Sequence, residues 1–341
     1  MGRGFRPWES LRNKIAVALC YVSADALTIR RRRAGKRWRY IGADGAAIAD
    51  PDEVARLDRI ALPPAYREAR FCADPDGHLQ AVGCDARGRR QYRYHLDFRA
   101  GQEAEKFDRC RDFGLALPRL RRRLEQAMSA PPASRDAVMA AVVQILDSAF
   151  LRIGNETYAK ANRSFGVTTL RNRHAKVRRG VVQLDYRGKS GVERSVRLTG
   201  RRLLRIVRRC QDLPGQHLFQ YRDDDGAVRR VTSTDVNAWL RDELEAGFTA
   251  KHFRTWHASV LAFAALREGA GMKDMLSRVS EALGNTPAVA RKSYVHPSLI
   301  KAAGTGELAG RRLPRARKGI SALERGLLDW LETPDAERPS A

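Results

Sequence analysis

The chain has 341 residues, with 64 Lys+Arg against 39 Asp+Glu, a formal net charge of +25 and a pI near 10.7. Hydrophobic residues make up 43% of it, which is ordinary for a globular protein and excludes disorder as the reason for the charge. Such a charge predicts a polyanionic partner, with nucleic acid favoured over a membrane surface. No apolar run approaches the ~20 residues that span a bilayer.

Residues that could hold a cofactor lack the necessary spacing. The cysteines are scattered and unpaired: Cys20, Cys72, Cys84, Cys110 and Cys210. An odd, unpatterned set indicates a reducing compartment and argues against a disulfide framework or a zinc site. The histidines show no metal-ligand spacing, and no Gly-x-x-x-x-Gly-Lys-Ser/Thr loop is present. The sequence therefore predicts neither a metal nor ATP.

The segment from Lys14 to Ala26 imitates a secretory signal, because basic residues precede a short apolar run with an Ala-x-Ala end. The alternative is a first buried strand or strand–turn. We favour this alternative, since a run of arginines, 30–33, follows at once.

Residues 1–102 are predicted to form a small β-rich domain. Short apolar runs alternate with turn signals, such as the Asp-Pro-Asp-Gly that begins at Asp74, and helical periodicity is weak. The basic stretch 30–39 carries Trp38 among its arginines, which favours phosphate contact over a merely solvated face.

Residues 103–341 are predicted to form a larger, mainly α-helical domain, which makes the fold class α+β. Ala-Pro-Pro-Ala, from Ala130, interrupts the helices, and Ser134 can cap a long helix that is expected to carry Arg152 near its end. A β-hairpin with strands 181–186 and 192–198 then places Lys189 at its tip.

The rest of this domain is predicted to be helical. Thr234 and Thr249 are expected to cap two successive helices, and Gly284 should end a third. Thr286 at an N-cap position, followed by proline, should begin a short helix that bears Tyr294. A basic stretch, 310–318, leads to one last amphipathic helix.

Several side chains of the second domain suit the cleavage of a phosphodiester by an internal nucleophile. Tyr294 offers a phenol oxygen, and a lysine such as Lys189 can give a proton to the leaving oxygen. Arg152 and Arg254 offer permanently charged guanidinium groups that can fork across two phosphate oxygens. Each residue alone has an ordinary explanation as a core tyrosine, a helix-capping arginine or a solvated turn lysine. Their combination is what points to chemistry.

As an ordered set, these motifs resemble the type IB DNA topoisomerases, most closely the poxvirus-like branch found in bacteria. The motifs are Arg-Ile-Gly-Asn from Arg152, Tyr158, Asn-x-Ser-Phe-Gly from Asn162, the tip Lys189, Lys-x-x-Arg from Lys251 to Arg254, Leu-Gly-Asn-Thr-Pro from Leu283, and Lys-Ser-Tyr ending at Tyr294. Asp-Pro-Asp-Gly-His-Leu-Gln and Gly-Arg-Arg-Gln-Tyr-Arg-Tyr-His extend the resemblance into the first domain.

The resemblance implies a monomeric enzyme of the cytoplasm and nucleoid, which clamps double-stranded DNA and needs no metal or ATP. Tyr294 would attack DNA and hold a 3′-phosphotyrosine while the other strand end rotates. Arg152 and Arg254 would bind the scissile phosphate, and Lys189 would be the general acid. Asn285 stands where poxviral and nuclear members carry histidine, and its amide can still donate a hydrogen bond to a phosphate oxygen.

Further DNA contacts are expected on both domains, at Arg89, Arg90, Gln91, Tyr92, Tyr94, Tyr158 and Lys251. Two other functions remain open. A tyrosine recombinase shares the tyrosine, the arginines and the lysine, but ordinarily has His-x-x-Arg where this chain has Lys251. A non-enzymatic DNA-coating protein would explain the charge but not the full set of motifs.

Overall fold

The computed structural model describes residues 19–35, 37–86, 88–244 and 247–333. The chain divides into two compact units, Met1–Glu105 and Lys106–Ala341. The first part of the signal-like segment, 14–18, lies outside the described residues, and its end, Ala24–Ala26, forms one turn of 3-10 helix. Among the described residues, no helix has the length and apolar character needed to cross a membrane.

The first unit contains a five-stranded antiparallel sheet, which confirms the predicted β-rich character. Its strands, in the spatial order β2-β1-β3-β4-β5, are β1 (Ile29–Ala34), β2 (Arg37–Ile41), β3 (Arg67–Phe71), β4 (Leu79–Cys84) and β5 (Arg90–Tyr94). One helix, α1 (Pro51–Arg59), was not predicted. It begins where the carboxylate of Asp50 accepts a hydrogen bond from the backbone of Asp52, and it buries Leu57 in a small core with Phe71.

The basic stretch of β1 and β2 has at least one arginine with a structural duty. The Arg31 guanidinium lies 4.2 Å from the centroid of the Trp38 ring. It also donates hydrogen bonds to the carbonyl oxygens of Leu62 at 2.7 Å and Pro63 at 2.5 Å. Arg31 therefore fastens the sheet to the segment that follows α1, whereas its neighbours Arg30 and Arg32 are exposed.

The second unit is mainly helical and encloses one large hydrophobic core. Its helices are α2 (Leu96–Ala127, which begins in the first unit), α3 (Arg135–Ala149), α4 (Glu156–Asn162), α5 (Arg201–Gln211), α6 (Ser233–Leu244), α7 (Ala250–Arg267), α8 (Met272–Leu283), α9 (Pro287–Ser293), α10 (Pro297–Thr305) and α11 (Ala322–Glu332). Helical structure begins at Leu96, earlier than the predicted residue 103, and α10 was not predicted.

Two predicted helix positions were wrong. Ser134 does cap α3, but this helix ends at Ala149, and Phe150 follows in a left-handed conformation with φ 58°. Arg152 therefore lies in the segment without regular structure that follows the helix, and not within the helix. The cap of α6 is Thr232, whose hydroxyl accepts a hydrogen bond from the backbone of Asp235 at 3.2 Å, and the predicted cap Thr234 lies inside the helix.

The predicted hairpin is confirmed as β7 (Val181–Arg187) and β8 (Glu193–Thr199). A third strand, β6 (Ala175–Arg178), extends it to a small antiparallel sheet and was not predicted. A separate pair, β9 (Gln220–Arg222) and β10 (Val228–Arg230), completes the described strands. The hairpin places its turn, with Lys189, beyond the sheet and next to the end of α8.

The segment around Gly284 folds largely as predicted. Gly284 ends α8 in a left-handed conformation, and the Thr286 hydroxyl accepts a hydrogen bond from the backbone of Val289 to begin α9. This helix ends at Ser293, so Tyr294 is its C-cap residue, one position beyond the helix on which it was expected.

Candidate active site

The backbone around Arg152 is fixed by close packing of two glycine-containing segments. The carbonyl oxygens of Arg152 and Ile153 accept hydrogen bonds from the backbone of Val167 at 2.9 Å and Thr168 at 2.7 Å. A side chain at Gly166 would bring its Cβ to 2.5 Å from the Arg152 oxygen, which is closer than packing permits. The Ile-Gly-Asn and Phe-Gly motifs thus serve to hold the Arg152 backbone in place.

The end of α8 organises the two predicted phosphate-binding arginines. Arg254, on α7, donates from Nη2 to the Leu283 oxygen at 3.0 Å and from Nη1 to the Phe150 oxygen. Arg152 donates from Nη1 to the Gly284 oxygen at 3.4 Å. Since the last carbonyls of a helix lack partners within it and carry the negative end of its dipole, they are natural anchors for guanidinium groups.

A pocket at this point brings together three of the predicted catalytic residues. Arg152, Arg254 and Lys189 all line it. Lys189 is exposed, in a turn where Ser190 adopts a left-handed conformation with φ 63°. These residues are far apart in the sequence, and they meet because the hairpin turn lies beside the ends of α3 and α8.

Tyr294 lies against the guanidinium of Arg254, whose central carbon is 4.9 Å from the centroid of the phenol ring. Burial acts to raise the pKa of Tyr294, but the positive charge and hydrogen bonding of Arg254 oppose it. Arg152 and Lys189 act in the same direction as Arg254, and together these cations hold the pKa of the phenol below its ordinary value. The surroundings thus favour the nucleophilic phenolate form.

Neighbouring helices hold the backbone on both sides of Tyr294. The ammonium group of Lys106, on α2, donates a hydrogen bond to the Ser293 oxygen at 2.8 Å. The Ser259 hydroxyl, on α7, accepts a hydrogen bond from the backbone of His296 at 3.1 Å. Tyr294 is therefore carried by a chain segment that is anchored to two long helices.

The positive charge of the pocket is not neutralised by the described part of the chain. Burial and the nearby Arg152 lower the pKa of Arg254 to about 10. Within the described ranges, no carboxylate forms an ion pair with either arginine, and Nε of Arg254 is buried without a hydrogen-bond partner. Because buried charges are stable only when paired, this arrangement favours an anionic ligand such as a phosphate.

Asn285 also has unused hydrogen-bonding capacity. Its backbone donates to the Ser280 oxygen at 3.0 Å. Both Nδ2 and Oδ1 of its side chain are buried and lack a partner among the described residues. An unsatisfied buried amide costs roughly 1–3 kcal/mol. A ligand oxygen that accepted a hydrogen bond from Nδ2 would reduce this cost.

The predicted DNA contacts on β5 fall on different faces of the strand. Tyr92 and Tyr94 are 43% and 39% exposed and stack with 6.3 Å between ring centroids. Gln91 points elsewhere and donates to the carboxylate of Asp85 at 3.2 Å. Arg89, which precedes the strand, donates to the same carboxylate at 2.7 Å.

Alternation along β5 places Arg90 on the face of the two tyrosines, and its side chain is exposed. In the second unit, Tyr158 lies on α4 and is 45% exposed. Lys251 is exposed in the first turn of α7, whereas Arg254, one turn further, is buried. Neither Tyr158 nor Lys251 lines the pocket.

Two polar side chains that line the pocket, Tyr186 and Arg194, were not predicted from the sequence. They lie directly opposite each other on β7 and β8. Burial raises the pKa of the Tyr186 phenol despite the opposing charge of Arg194. The register of the predicted hairpin contained the signal, because it pairs these two residues just below the turn that bears Lys189.

Two protein-family models match this chain. The model described as eukaryotic DNA topoisomerase I, catalytic core, matches residues 95–294. The model described as bacterial DNA topoisomerase IB, N-terminal domain, matches residues 37–85. The first match contains all the positions predicted to be catalytic, and it ends at Tyr294.

Curated relatives give the same picture. DNA topoisomerase 1B of Acanthamoeba polyphaga mimivirus is 30% identical over 284 residues, which cover 78% of this chain and 84% of that protein. DNA topoisomerase 1 of Mycosarcoma maydis is 24% identical over 193 residues, or 50% of this chain and 19% of that protein. The mitochondrial DNA topoisomerase I of Rattus norvegicus is 29% identical over 154 residues, or 43% and 25%.

Proposed function

The chain belongs to the type IB DNA topoisomerase family, and we propose that it relaxes supercoiled duplex DNA through a transient 3′-phosphotyrosine at Tyr294. One strand is cut, its free end rotates about the intact strand, and the cut is resealed. The energy of the broken bond is retained in the phosphotyrosine ester, so the cycle needs neither ATP nor a metal.

In the cleavage step, the Tyr294 oxygen attacks the scissile phosphorus and loses its proton to solvent. A bond between phosphorus and the phenol oxygen forms, and the bond between phosphorus and the 5′ oxygen breaks. Lys189 protonates the leaving 5′ oxygen. The guanidinium groups of Arg152 and Arg254, with the Asn285 amide, stabilise the negative charge that develops on the non-bridging oxygens. Resealing reverses these steps.

One observation carries the proposal: the phenol of Tyr294 lies against the buried guanidinium of Arg254, in a site whose arginines have no carboxylate partner in the described part of the chain. A structural tyrosine would not require a buried guanidinium group without a carboxylate partner. A nucleophile for a phosphodiester does, because the transition state carries more negative charge than the substrate.

The test is relaxation of negatively supercoiled plasmid in EDTA without ATP. The wild-type protein should relax the plasmid in steps, and Tyr294→Phe should bind it but form no SDS-resistant adduct. A label at the 5′ end of the cut strand should stay with the protein, and a 3′ label should be released. Binding without relaxation by the wild-type protein would instead indicate a DNA-coating protein, and site-dependent strand exchange would indicate a recombinase.

The role proposed for Lys189 has its own test. Lys189→Ala should cleave ordinary DNA slowly, but it should cleave at a nearly normal rate when sulfur replaces the 5′ bridging oxygen. A thiolate leaves without a proton, so it does not need a general acid. If sulfur gave no rescue, Lys189 would have another role in the site.

We further propose that the enzyme works as a monomer in the cytoplasm, associated with the nucleoid. The net charge of +25 supports binding that is driven mainly by phosphate contacts. The exposed face of β5 with Arg90, Tyr92 and Tyr94 would add contacts from the first unit. Affinity should fall steeply as salt rises, and sedimentation should give the mass of one chain.

A further inference from the structure

Three arginines share the end of α8. The successive carbonyl oxygens of residues 281–284 each accept a hydrogen bond from a guanidinium group. Leu283 is bound by Arg254 and Gly284 by Arg152, which are the two arginines already assigned to the phosphate. The remaining carbonyls are bound by Arg194, for which the proposed mechanism has no role.

Arg194 reaches these carbonyls from the hairpin. Its Nη2 donates to the Ala282 oxygen at 2.9 Å, and its Nη1 lies 3.4 Å from the Glu281 oxygen. Its strand, β8, continues directly from the turn that carries Lys189. The Arg194 guanidinium therefore connects the hairpin that carries Lys189 to the end of α8, which is followed by Asn285.

Gly284 leaves the space that this bridge occupies. A Cβ at this position would lie 2.6 Å from Nη1 of Arg194, and φ is +61°, a conformation that side chains rarely adopt. The glycine of the Leu-Gly-Asn motif thus has two duties here: it ends α8, and it lets the Arg194 guanidinium approach the helix.

Near its tip the hairpin is also held by the segment after α4, because the backbone of Phe165 donates a hydrogen bond to the Arg187 oxygen at 2.8 Å. The backbone of Gly188 donates to the Val192 oxygen at 2.7 Å, and strand pairing begins at Arg187 and Glu193. None of these bonds involves α8, whereas the bonds of Arg194 join the hairpin directly to the end of that helix and so set the position of the turn against it. A general acid must lie within about 2.6–3.2 Å of the atom that it protonates, so this position matters for catalysis.

We propose that Arg194 is a positioning residue, which holds the Lys189 turn against the end of α8 so that the ammonium group reaches the leaving 5′ oxygen. This inference rests on the proposed function and deepens it. Arg194 acts here through Lys189 and not by direct contact with the phosphate. The guanidinium suits this duty because its fixed, planar fork presents donors from two separate nitrogens to two adjacent carbonyls, whereas an ammonium group presents its donors from a single nitrogen on a flexible stem.

The experiment compares single-turnover cleavage of DNA with an oxygen or a sulfur at the 5′ bridging position. Arg194→Met should slow cleavage of the oxygen substrate by roughly 10–10²-fold, the cost of a misplaced catalytic group. Cleavage of the sulfur substrate should return to within about threefold of wild type, because a thiolate needs no proton. A residue that merely supports the fold would slow both substrates equally.

Arg197→Met is the matched control. Arg197 lies on the same strand with the same charge, but it is exposed and, three positions along, on the opposite face from Arg194. The Arg197→Met variant should cleave the oxygen and sulfur substrates at rates similar to those of wild type. A sulfur-reversible defect in Arg197→Met would show that any lost charge on β8 has this effect, and it would overturn the assignment to Arg194.

Lys189→Ala separates the failure of this inference from the failure of the proposed function. If sulfur rescues Lys189→Ala but not Arg194→Met, Arg194 does not position the general acid, and the role of Lys189 stands. If sulfur rescues neither, the general-acid role itself is wrong, and the inference fails with it.

The double variant, Lys189→Ala with Arg194→Met, should be no slower than Lys189→Ala alone, because the two changes remove one function. Additive losses would show that Arg194 contacts the phosphate on its own account and would overturn the inference. Should Arg194→Met not fold, Arg194→Lys keeps the positive charge and N–H donors on one nitrogen, and it is expected to show a smaller defect that sulfur also reverses. If Arg194→Lys slowed cleavage of the oxygen and sulfur substrates equally, the inference would also be overturned.

Discussion

Arg121 offers a quantitative test of how the second unit is held together. Its guanidinium, on α2, lies between the carboxylates of Asp147 on α3 and Glu324 on α11. Nε and Nη2 donate to Asp147 at 2.7 and 3.0 Å, and Nη1 and Nη2 donate to Glu324 at 3.0 and 2.8 Å. Nη1 also donates to the Gly319 oxygen at 2.8 Å. We predict that Arg121→Met strongly destabilises this unit.

The size of the effect follows from the two carboxyl groups. Burial alone would raise both pKa values, but hydrogen bonds from His257 and Arg121 lower that of Asp147 from 3.8 to about 2. Hydrogen bonds from Arg121 likewise lower the pKa of Glu324 from 4.5 to about 2. At ~1.4 kcal/mol for each tenfold change in proton affinity, these differences correspond to about 2 and 3 kcal/mol. Removing the shared partner should therefore cost about 3–5 kcal/mol.

The contribution has a definite pH dependence. Because each carboxyl group has a lower pKa in the folded than in the unfolded protein, its stabilisation is complete above pH 4.5 and is lost as the pH falls toward 2. The difference between wild type and Arg121→Met should shrink over the same interval. In the variant, the two carboxyl groups can become neutral by taking up protons.

The assay is urea unfolding followed by tryptophan fluorescence. Trp256 is a suitable reporter, since its indole donates to Glu324 at 3.3 Å. Arg278→Met is the control, because Arg278 also bridges two carboxylates, Asp274 at 2.8 Å and Glu268 at 2.7 Å, but all three side chains are about half exposed. It should lose only a small fraction of the stability lost in Arg121→Met. Equal losses, or a difference that does not change with pH, would refute the reasoning.

Two further predictions concern the reaction. Asn285→His should keep the cleavage rate within about tenfold of wild type. Asn285→Ala should lower the rate on the order of 10²–10³-fold, as when one oxyanion donor is removed. Equal rates for both variants in single-turnover cleavage would contradict this prediction. Lys106→Met should slow formation of the Tyr294 adduct by roughly 10–10²-fold without changing DNA affinity, because the Ser293 carbonyl loses its charged donor. Gel-shift and adduct assays on the same samples separate the two effects, and a loss of affinity alone would count against it.

Much of the site could be predicted because its residues lie in motifs with local structural causes. Gly284 stops a helix, Thr286 with Pro287 starts the next, and the hairpin periodicity places Lys189 in a turn. These local signals are strong in the sequence itself. Helical periodicity is likewise local, and the aromatic residues Phe253, Trp256 and Phe263 that it places on one stripe of α7 are fully buried.

Other features depend on contacts that are distant in sequence. The apolar pattern of α3 continues through Phe150, so periodicity alone extended the helix to Arg152, whereas the chain turns at Phe150 and packs against Gly166. Arg31 could not be distinguished from its arginine neighbours until the carbonyls that it binds were placed beside it. The role of Arg194 could not be predicted because the carbonyls that it binds lie at the end of α8, far away in the sequence.

The hydrogen bonds of Arg254 limit which substitutions this position could accept during evolution. Its guanidinium group joins the turn after α3 to the last residue of α8, through the oxygens of Phe150 and Leu283. Its Nε has no hydrogen-bond partner among the described residues and is available to a ligand. Lysine would preserve the charge, but its donors all lie on one nitrogen, whereas Arg254 uses a different nitrogen for each of the two carbonyls and has a third for a ligand. Replacement of Arg254 by lysine is therefore disfavoured by the loss of these contacts, although the charge is kept. Such replacement should be rarer among related proteins than the requirement for a positive charge alone would suggest.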